Sequence, residues 1–460
     1  MGASRERADL PGEAPAAAGG GPRPTVMLVL VTLGFALNFW AWALLSPLGP
    51  RFKESLHLGS FEQALLVAVP VVVGSLGRIP VGALTDRFGG RVMLPAVSAV
   101  TIVPVLYLGL AGHSSPAELL VGGFFLGIGG TAFAVGVPFV NAWFPPDRRG
   151  LAIGVFGAGM GGTAISALTT VRMVDRWGEA TPFAVTAAVL AVYAVVAAVV
   201  LREAPGRAVP REPLARRLAA TARVGVTWQA AALYAVAFGG YVAFSVYLPT
   251  YLKTEYGLTQ VDAANRMAGF VLLAVVMRPV GGWLSDGLGP VRVMVASLAV
   301  TAVFALVQAP APALLPLGTI AFLGMAAALG VGSGATFALV AQAAPASRVG
   351  AVTGVVGAAG GLGGFVPPLV MGSIYGGLGS YAVGLVLLAV VAGTAALFTA
   401  TVVRRAAVPQ RSGEPDIAPP IIGQGPPHAR DVGEPRGGPR MTDEDGVAED
   451  AAAGGKEQSW

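Results

Sequence analysis

The chain has 460 residues, of which only 12% are charged, and a mean hydropathy of +0.69. A soluble domain carries about twice that charge, so the composition points to an all-α membrane protein with many spans. There is no cysteine, and the three histidines (His57, His113 and His428) lie in loops or tail, which removes disulfides, thiol chemistry and a histidine metal site in the membrane from consideration.

Residues 1–24 are rich in Ala, Gly and Pro with mixed charge, and read as a disordered cytoplasmic tail. They lack the pattern of a cleaved secretory signal. Apolar runs follow at about 25–48, 62–84, 92–112, 117–140, 150–171, 181–201, 228–250, 264–285, 292–311, 313–338, 349–372 and 379–403. Each approaches or exceeds the ~20 residues that cross a bilayer core. The twelve runs divide into six-helix bundles at 25–201 and 228–403. Between them, residues 202–227 form a polar cytoplasmic linker with Arg202, Arg207, Arg211, Arg216, Arg217 and Arg223. Residues 404–460 lack apolar periodicity and read as a second disordered cytoplasmic tail.

The net charge of +5 comes largely from these short loops. Basic residues there set membrane orientation, so no nucleic-acid partner is implied. With both termini in the cytoplasm, the inner loops hold Arg87, Arg91, Arg148, Arg149, Arg292, Arg348, Arg404 and Arg405. Fewer basic residues remain outside. The expected place is a bacterial inner membrane, with the lipid bilayer as solvent. No sequence feature sets the oligomeric state, and a monomer is expected.

The two halves repeat. Arg78-Ile-Pro-Val-Gly-Ala-Leu-Thr-Asp86 is matched by Arg278-Pro-Val-Gly-Gly-Trp-Leu-Ser-Asp286. Six spans separate equivalent positions, so the halves run parallel. Arg78 lies eight residues before Asp86, or ~12 Å along a helix, close to the middle of the membrane. A charge there costs about 2.5–3.5 kcal/mol on insertion scales. No Asp or Glu occurs at comparable depth in any run. A bound anion is therefore the natural counter-charge, and the planar guanidinium fork suits an oxyanion. Snorkelling or pairing with helix-end carbonyls is the structural alternative.

Gly82, Leu84, Asp86, Arg87, Gly89 and Arg91 match the signature between the second and third spans of the major facilitator superfamily. Gly282, Leu284, Asp286 and Gly289 repeat it without the arginine. We read Gly82, Asp86, Arg87, Gly89 and Asp286 as a cytoplasmic latch that serves gating and not binding. In the fifth span Gly150, Gly154, Gly157 and Gly161 share a face, and Gly350, Gly354, Gly357 and Gly361 repeat them in the eleventh. Such faces allow close packing of helices. They also let helices slide and a small ligand meet main chain, and Gly157 and Gly357 are assigned to that movement.

With Phe133 and the stretch from Asn141 to Gly150, and with the segment from Tyr234 to Asp286, these motifs resemble the nitrate/nitrite porter family of that superfamily over about residues 25–403. The resemblance implies twelve helices in two pseudo-symmetric halves. It also implies a secondary transporter of nitrate and/or nitrite that works by alternating access, with no cofactor and a small inorganic anion as partner. It puts the substrate arginines at Arg78 and Arg278. It puts an aromatic clamp at Phe133, Tyr234 and Phe238, and the glycine-rich nitrate signatures at Gly161 and Gly361. Family members often carry an asparagine in the fifth-span signature, where this chain has Gly161; Asn38 in the first span is the candidate substitute.

The absence of a mid-membrane carboxylate or histidine favours nitrate/nitrite exchange over proton symport. A transporter of another small anion (formate, oxalate or another carboxylate) would use the same arginines, and a transport-inactive anion sensor would need an output domain. The sequence offers no metal cluster, nucleophile–base pair or phosphate loop for an enzyme.

Overall fold

The computed structural model describes residues 23–112, 115–205, 214–344 and 349–404. The expected tails fall outside the described residues apart from positions 23, 24 and 404, as do Arg207, Arg211, His113 and His428.

Twelve helices among the described residues are long and apolar enough to cross a membrane. They are α1 Pro24–Ser55, α2 Ser60–Phe88, α3 Gly90–Leu110, α4 Pro116–Trp143, α5 Ala152–Trp177, α6 Thr181–Val200, α7 Gly225–Tyr256, α8 Gln260–Leu288, α9 Pro290–Gln308, α10 Leu314–Ala343, α11 Ala351–Leu378 and α12 Ala382–Val403. They match the twelve expected runs in order, and no strand occurs among the described residues. Large apolar side chains stay exposed on the outside, such as Leu110 at 78% and Trp283 at 71%. Water would not tolerate that surface and a hydrocarbon solvent does. The chain is a multi-pass membrane protein.

Local chemistry sets the helix ends. The Ser115 hydroxyl accepts from the Glu118 N–H, and Thr259 does the same for Asp262. Both satisfy amide groups that a helix start leaves open. At the other end, α2 and α8 stop at the repeat-equivalent Gly89 and Gly289, with φ of 87° and 85°. A side chain is strained in that region, whereas glycine enters it freely.

Two differences from the sequence reading have physical causes. The glycine run of α5 is not a regular α-helix, because Ala158–Gly161 is a 3-10 turn. Four glycines lie in the six residues 157–162, and a backbone this bare can adopt the tighter i→i+3 form, although the equivalent run of α11 stays α-helical. A similar 3-10 turn, Gly127–Thr131, interrupts α4. The polar segment expected at 202–227 contains a helix at Leu214–Ala222. The Thr227 hydroxyl and the Trp228 indole N–H close it onto α7 by donating to the carbonyls of Thr221 and Ala222.

The first six helices meet the last six on the face that carries the α1–α2 and α7–α8 connections. Ser46 Oγ donates to the Val246 carbonyl at 2.8 Å, Gln63 Nε2 to Thr250 Oγ1 at 3.0 Å, and Gln260 Nε2 to the Pro47 carbonyl at 2.7 Å. Arg172 Nη2 donates to Asn265 Oδ1 at 2.8 Å, and Lys253 pairs with Glu54 at 2.6 Å.

Candidate functional site

Arg78 and Arg278 converge at the middle of the molecule. Arg78 is buried on α2, and its guanidinium carbon lies 5.1 Å from the centre of the Phe133 ring and 5.9 Å from that of Phe238. Arg278, half-buried on α8, approaches the same Phe238 ring at 5.2 Å. Two cations from opposite halves thus share one aromatic ring. Such contacts stabilise a cation by about 2 kcal/mol when desolvated. That is too little to neutralise two guanidinium groups. Among the described residues, neither arginine meets a carboxylate.

Their hydrogen bonds go elsewhere, and in a reciprocal way. Arg78 Nη1 donates to the Gly357 carbonyl of α11 at 2.7 Å, across the two halves, and Nε reaches the Gly130 carbonyl at 3.4 Å. Arg278 Nη1 touches the thioether of Met160 on α5, also across the halves, and Nη2 donates to the Tyr234 hydroxyl at 2.8 Å. Each arginine therefore reaches the glycine-run helix of the opposite half. A carbonyl and a thioether are weak partners for a charged fork compared with an oxyanion.

The aromatic walls are built in layers. The Tyr234 and Phe238 rings, one turn apart on α7, stack at 4.7 Å and 5°. Phe337 of α10 packs edge-on against Tyr234 at 4.9 Å. On the other side Phe133 leans on Phe35 and Phe156 at 5.8 and 6.1 Å. One turn beyond Phe238, the Tyr241 hydroxyl meets Thr163 Oγ1 of the other half at 3.4 Å.

The bare backbone of α11 is required at Gly361 and is merely in contact at Gly357. A Cβ at Gly361 would fall 3.0 Å from the Ser75 Cβ and 3.5 Å from Arg78 Nη1, and one at Gly357 would fall 3.4 Å from the Phe133 ring. On α5 the situation is reversed: a Cβ at Gly157 or Gly161 would meet nothing within 4 Å. The structure thus brings Arg78, Arg278, Phe133, Tyr234, Phe238, Gly357 and Gly361 together, and sets Gly157 and Gly161 beside open space. Gly357, assigned from sequence to helix movement, also supplies a carbonyl to the site.

Asn38 is not the substitute contact. Its amide donates to the Gly34 carbonyl and to Ser98 Oγ, both at 2.8 Å, within the first half. The α5 side chain that reaches an arginine is Met160. Sequence reasoning missed it because a methionine in an apolar helix reads as packing; its one signal was to be the only long side chain between Gly157 and Gly162.

The signature at the end of α2 lies apart from this cluster. Gly82 is half-buried, Asp86 is half-buried two turns beyond Arg78, and Asp286 is exposed. The Arg87 guanidinium packs 5.2 Å from the Phe88 ring, and Gly89 makes the turn into α3.

Comparison with known proteins agrees with this architecture. The Major Facilitator Superfamily is matched over residues 31–265 and 231–432. A Mycobacterium tuberculosis (strain H37Rv) protein named "Probable nitrate/nitrite transporter NarK2" is 52% identical over 375 residues, covering 81% of this chain and 95% of that one. The "Nitrite extrusion protein" of Bacillus subtilis (strain 168) is 34% identical over 370 residues, covering 80% and 92%. Among solved structures, a bacterial homologue of the human lysosomal transporter Spinster superposes with a TM-score of 0.67 at 20% identity, over 84% of this chain and 98% of that one. The human organic anion transporter MFSD10 gives 0.66 at 16%, over 82% and 100%. These two likenesses speak to the fold alone. With its duplicated arginines, its twelve helices and relatives of this identity, the chain belongs to the nitrate/nitrite porter family of the major facilitator superfamily.

Proposed function

We propose that this protein carries nitrate and/or nitrite across the inner membrane by alternating access, with one anion held between Arg78 and Arg278. The observation that carries the reading is that both guanidinium groups approach the Phe238 ring while neither meets a carboxylate among the described residues. A flat oxyanion offers both forks what the Gly357 carbonyl and the Met160 thioether supply poorly. The family and its named relatives support the choice of anion.

Alternating access is supported by where the halves meet. With both termini in the cytoplasm, the joined face is the outer one, as an inward-facing form requires. The two six-helix bundles rock about the arginine pair, the glycine runs permit the movement, and the Asp86 loop latches the inner side. A ligand shifts such an equilibrium only through differential affinity. Two arginines closing on one anion lose their mutual repulsion, so the occupied protein occludes more readily than the empty one.

Counterflow in proteoliposomes tests the reading. With unlabelled nitrate or nitrite inside, labelled nitrate is expected to accumulate transiently without a pH gradient, as exchange requires. Accumulation only with a pH gradient would assign proton symport instead. Equal competition by formate or oxalate would assign a broader carboxylate carrier, and no flux at all would reject transport of these anions. The Tyr234 hydroxyl is expected to matter for binding. The hydroxyl accepts from Arg278, which leaves its own proton to be donated to the anion; Tyr234→Phe removes that bond, whose contribution of about 1.5–3 kcal/mol corresponds to a rise of at least about tenfold in nitrate KM, read from concentration-dependent uptake.

A further inference from the structure

The central arginines are not the only cations that follow the repeat. The chain has twenty-seven arginines and three lysines. Lys456 lies outside the described residues, and the other two, Lys53 and Lys253, are two hundred residues apart, the same offset that relates Arg78 to Arg278. In a chain that otherwise uses arginine almost throughout, both remaining lysines occupy the equivalent ends of α1 and α7.

They also line one cavity. It measures about 510 Å³, opens on the joined face, and is bordered by Lys53, Glu54, His57, Gln63, Lys253 and Thr254. Each lysine reaches across the halves, as the arginines do. Lys253 Nζ meets Glu54 at 2.6 Å, and Lys53 Nζ lies 6.0 Å from the centre of the Tyr375 ring while contacting Ser60 Oγ at 3.3 Å. Fifteen residues of α7 separate Lys253 from Phe238, roughly 22 Å at 1.5 Å per residue. That spans about half the thickness of a bilayer with its headgroups, which puts the lysines at the membrane surface and at the mouth of the path between the halves.

The two tiers differ in chemistry. A guanidinium fork binds an oxyanion at two points and holds it in a fixed orientation. An ammonium is a hydrated point charge on a flexible stem, so it attracts an anion without orienting it and releases it readily. Charges lining a cleft raise the local concentration of an oppositely charged ligand. We propose that Lys53 and Lys253 form a second, outer anion site, a low-affinity relay for a small monovalent oxyanion on its way to or from the arginines. Glu54 occupies Lys253 while the halves are joined on this face. When they part, the ion pair breaks and both ammonium groups face the outside, so the site exists in the outward-open form. The inference rests on the anion-transport reading above.

The test is initial nitrate uptake into right-side-out proteoliposomes at about 10 mM and about 150 mM ionic strength, where the screening length falls from ~30 to ~8 Å. For Lys53→Gln with Lys253→Gln, the outer KM is expected to rise about five- to tenfold at low ionic strength and less than about twofold at high, with Vmax and the inner KM unchanged. Lys53→Arg with Lys253→Arg keeps the charges and is expected to keep the outer KM. Each single glutamine variant is expected to give a smaller rise of the same kind. An unchanged outer KM at low ionic strength would overturn the relay. So would a fall in Vmax without a change in KM, which would reduce the lysines to a structural latch. If the wild-type protein moved no nitrate, the transport reading would fail and the relay with it; if the wild type moved nitrate and the variants matched it, only the relay would fail.

Discussion

Arg78→Lys and Arg278→Lys are each expected to lower nitrate flux by about ten- to a hundredfold, with the protein still folded and inserted. The magnitude follows from the interaction removed. A charge-assisted bond to an oxyanion contributes about 1.5–3 kcal/mol, and lysine keeps the charge while losing the second prong of the fork. Insertion is preserved because the positive charge at mid-membrane is the same in both residues. Arg78 is buried whereas Arg278 is half-buried, so water can replace less of what the Arg78 substitution removes, and it is expected to have the larger effect. Flux in proteoliposomes, normalised to the protein recovered after size exclusion, checks this. Wild-type flux in both variants would remove the proposed site.

Gly162→Val is expected to strip α5 from α1, whereas Gly161→Ala is expected to leave the fold intact. The two residues are neighbours and look alike in sequence. A Cβ at Gly162 would run into the Ala36 carbonyl and fall 2.9 Å from the Trp40 amide nitrogen. Both are backbone atoms that cannot rotate aside, so the helices would have to separate. Overpacking of this kind costs about 1–3 kcal/mol or more. At Gly161 nothing lies within 4 Å of the new atom, and φ is −57°, which any residue adopts. Thermal unfolding followed by size exclusion separates the outcomes: a midpoint lowered by several degrees and reduced recovery for Gly162→Val, and a wild-type profile for Gly161→Ala. A wild-type profile for Gly162→Val would contradict the packing of α1 on α5.

This contrast marks the limit of what residue spacing reveals. The twelve spans were legible because a stretch of about twenty apolar residues has few other uses. Arg78 and Arg278 were legible because a charge inside such a stretch is conspicuous, and the repeat made it doubly so. The aromatic clamp came from family resemblance; spacing alone does not distinguish Phe133 or Phe238 from ordinary packing. The glycine runs were half legible. Their periodicity announced close approach, but Gly159 packs on Phe35 and Gly162 on Ala36 while Gly157 and Gly161 face open space, and only the neighbouring helices decide which is which. Asn38 misled because a polar residue in a span invites a ligand, when its partner was Ser98, sixty residues away on α3. The linker helix Leu214–Ala222 went unseen because nine residues fall short of the roughly 11–18-residue window in which helical periodicity can be read.

The central claim is that one small anion is shared by two arginines from opposite halves. Its most direct test is an experimental structure of the protein with nitrate bound. A single planar anion is expected against the Phe238 ring, within hydrogen-bond distance of guanidinium nitrogens from both Arg78 and Arg278, with the Met160 thioether displaced. An anion held by one arginine alone, or both arginines still turned to Gly357 and Met160 with nitrate seated elsewhere, would contradict it.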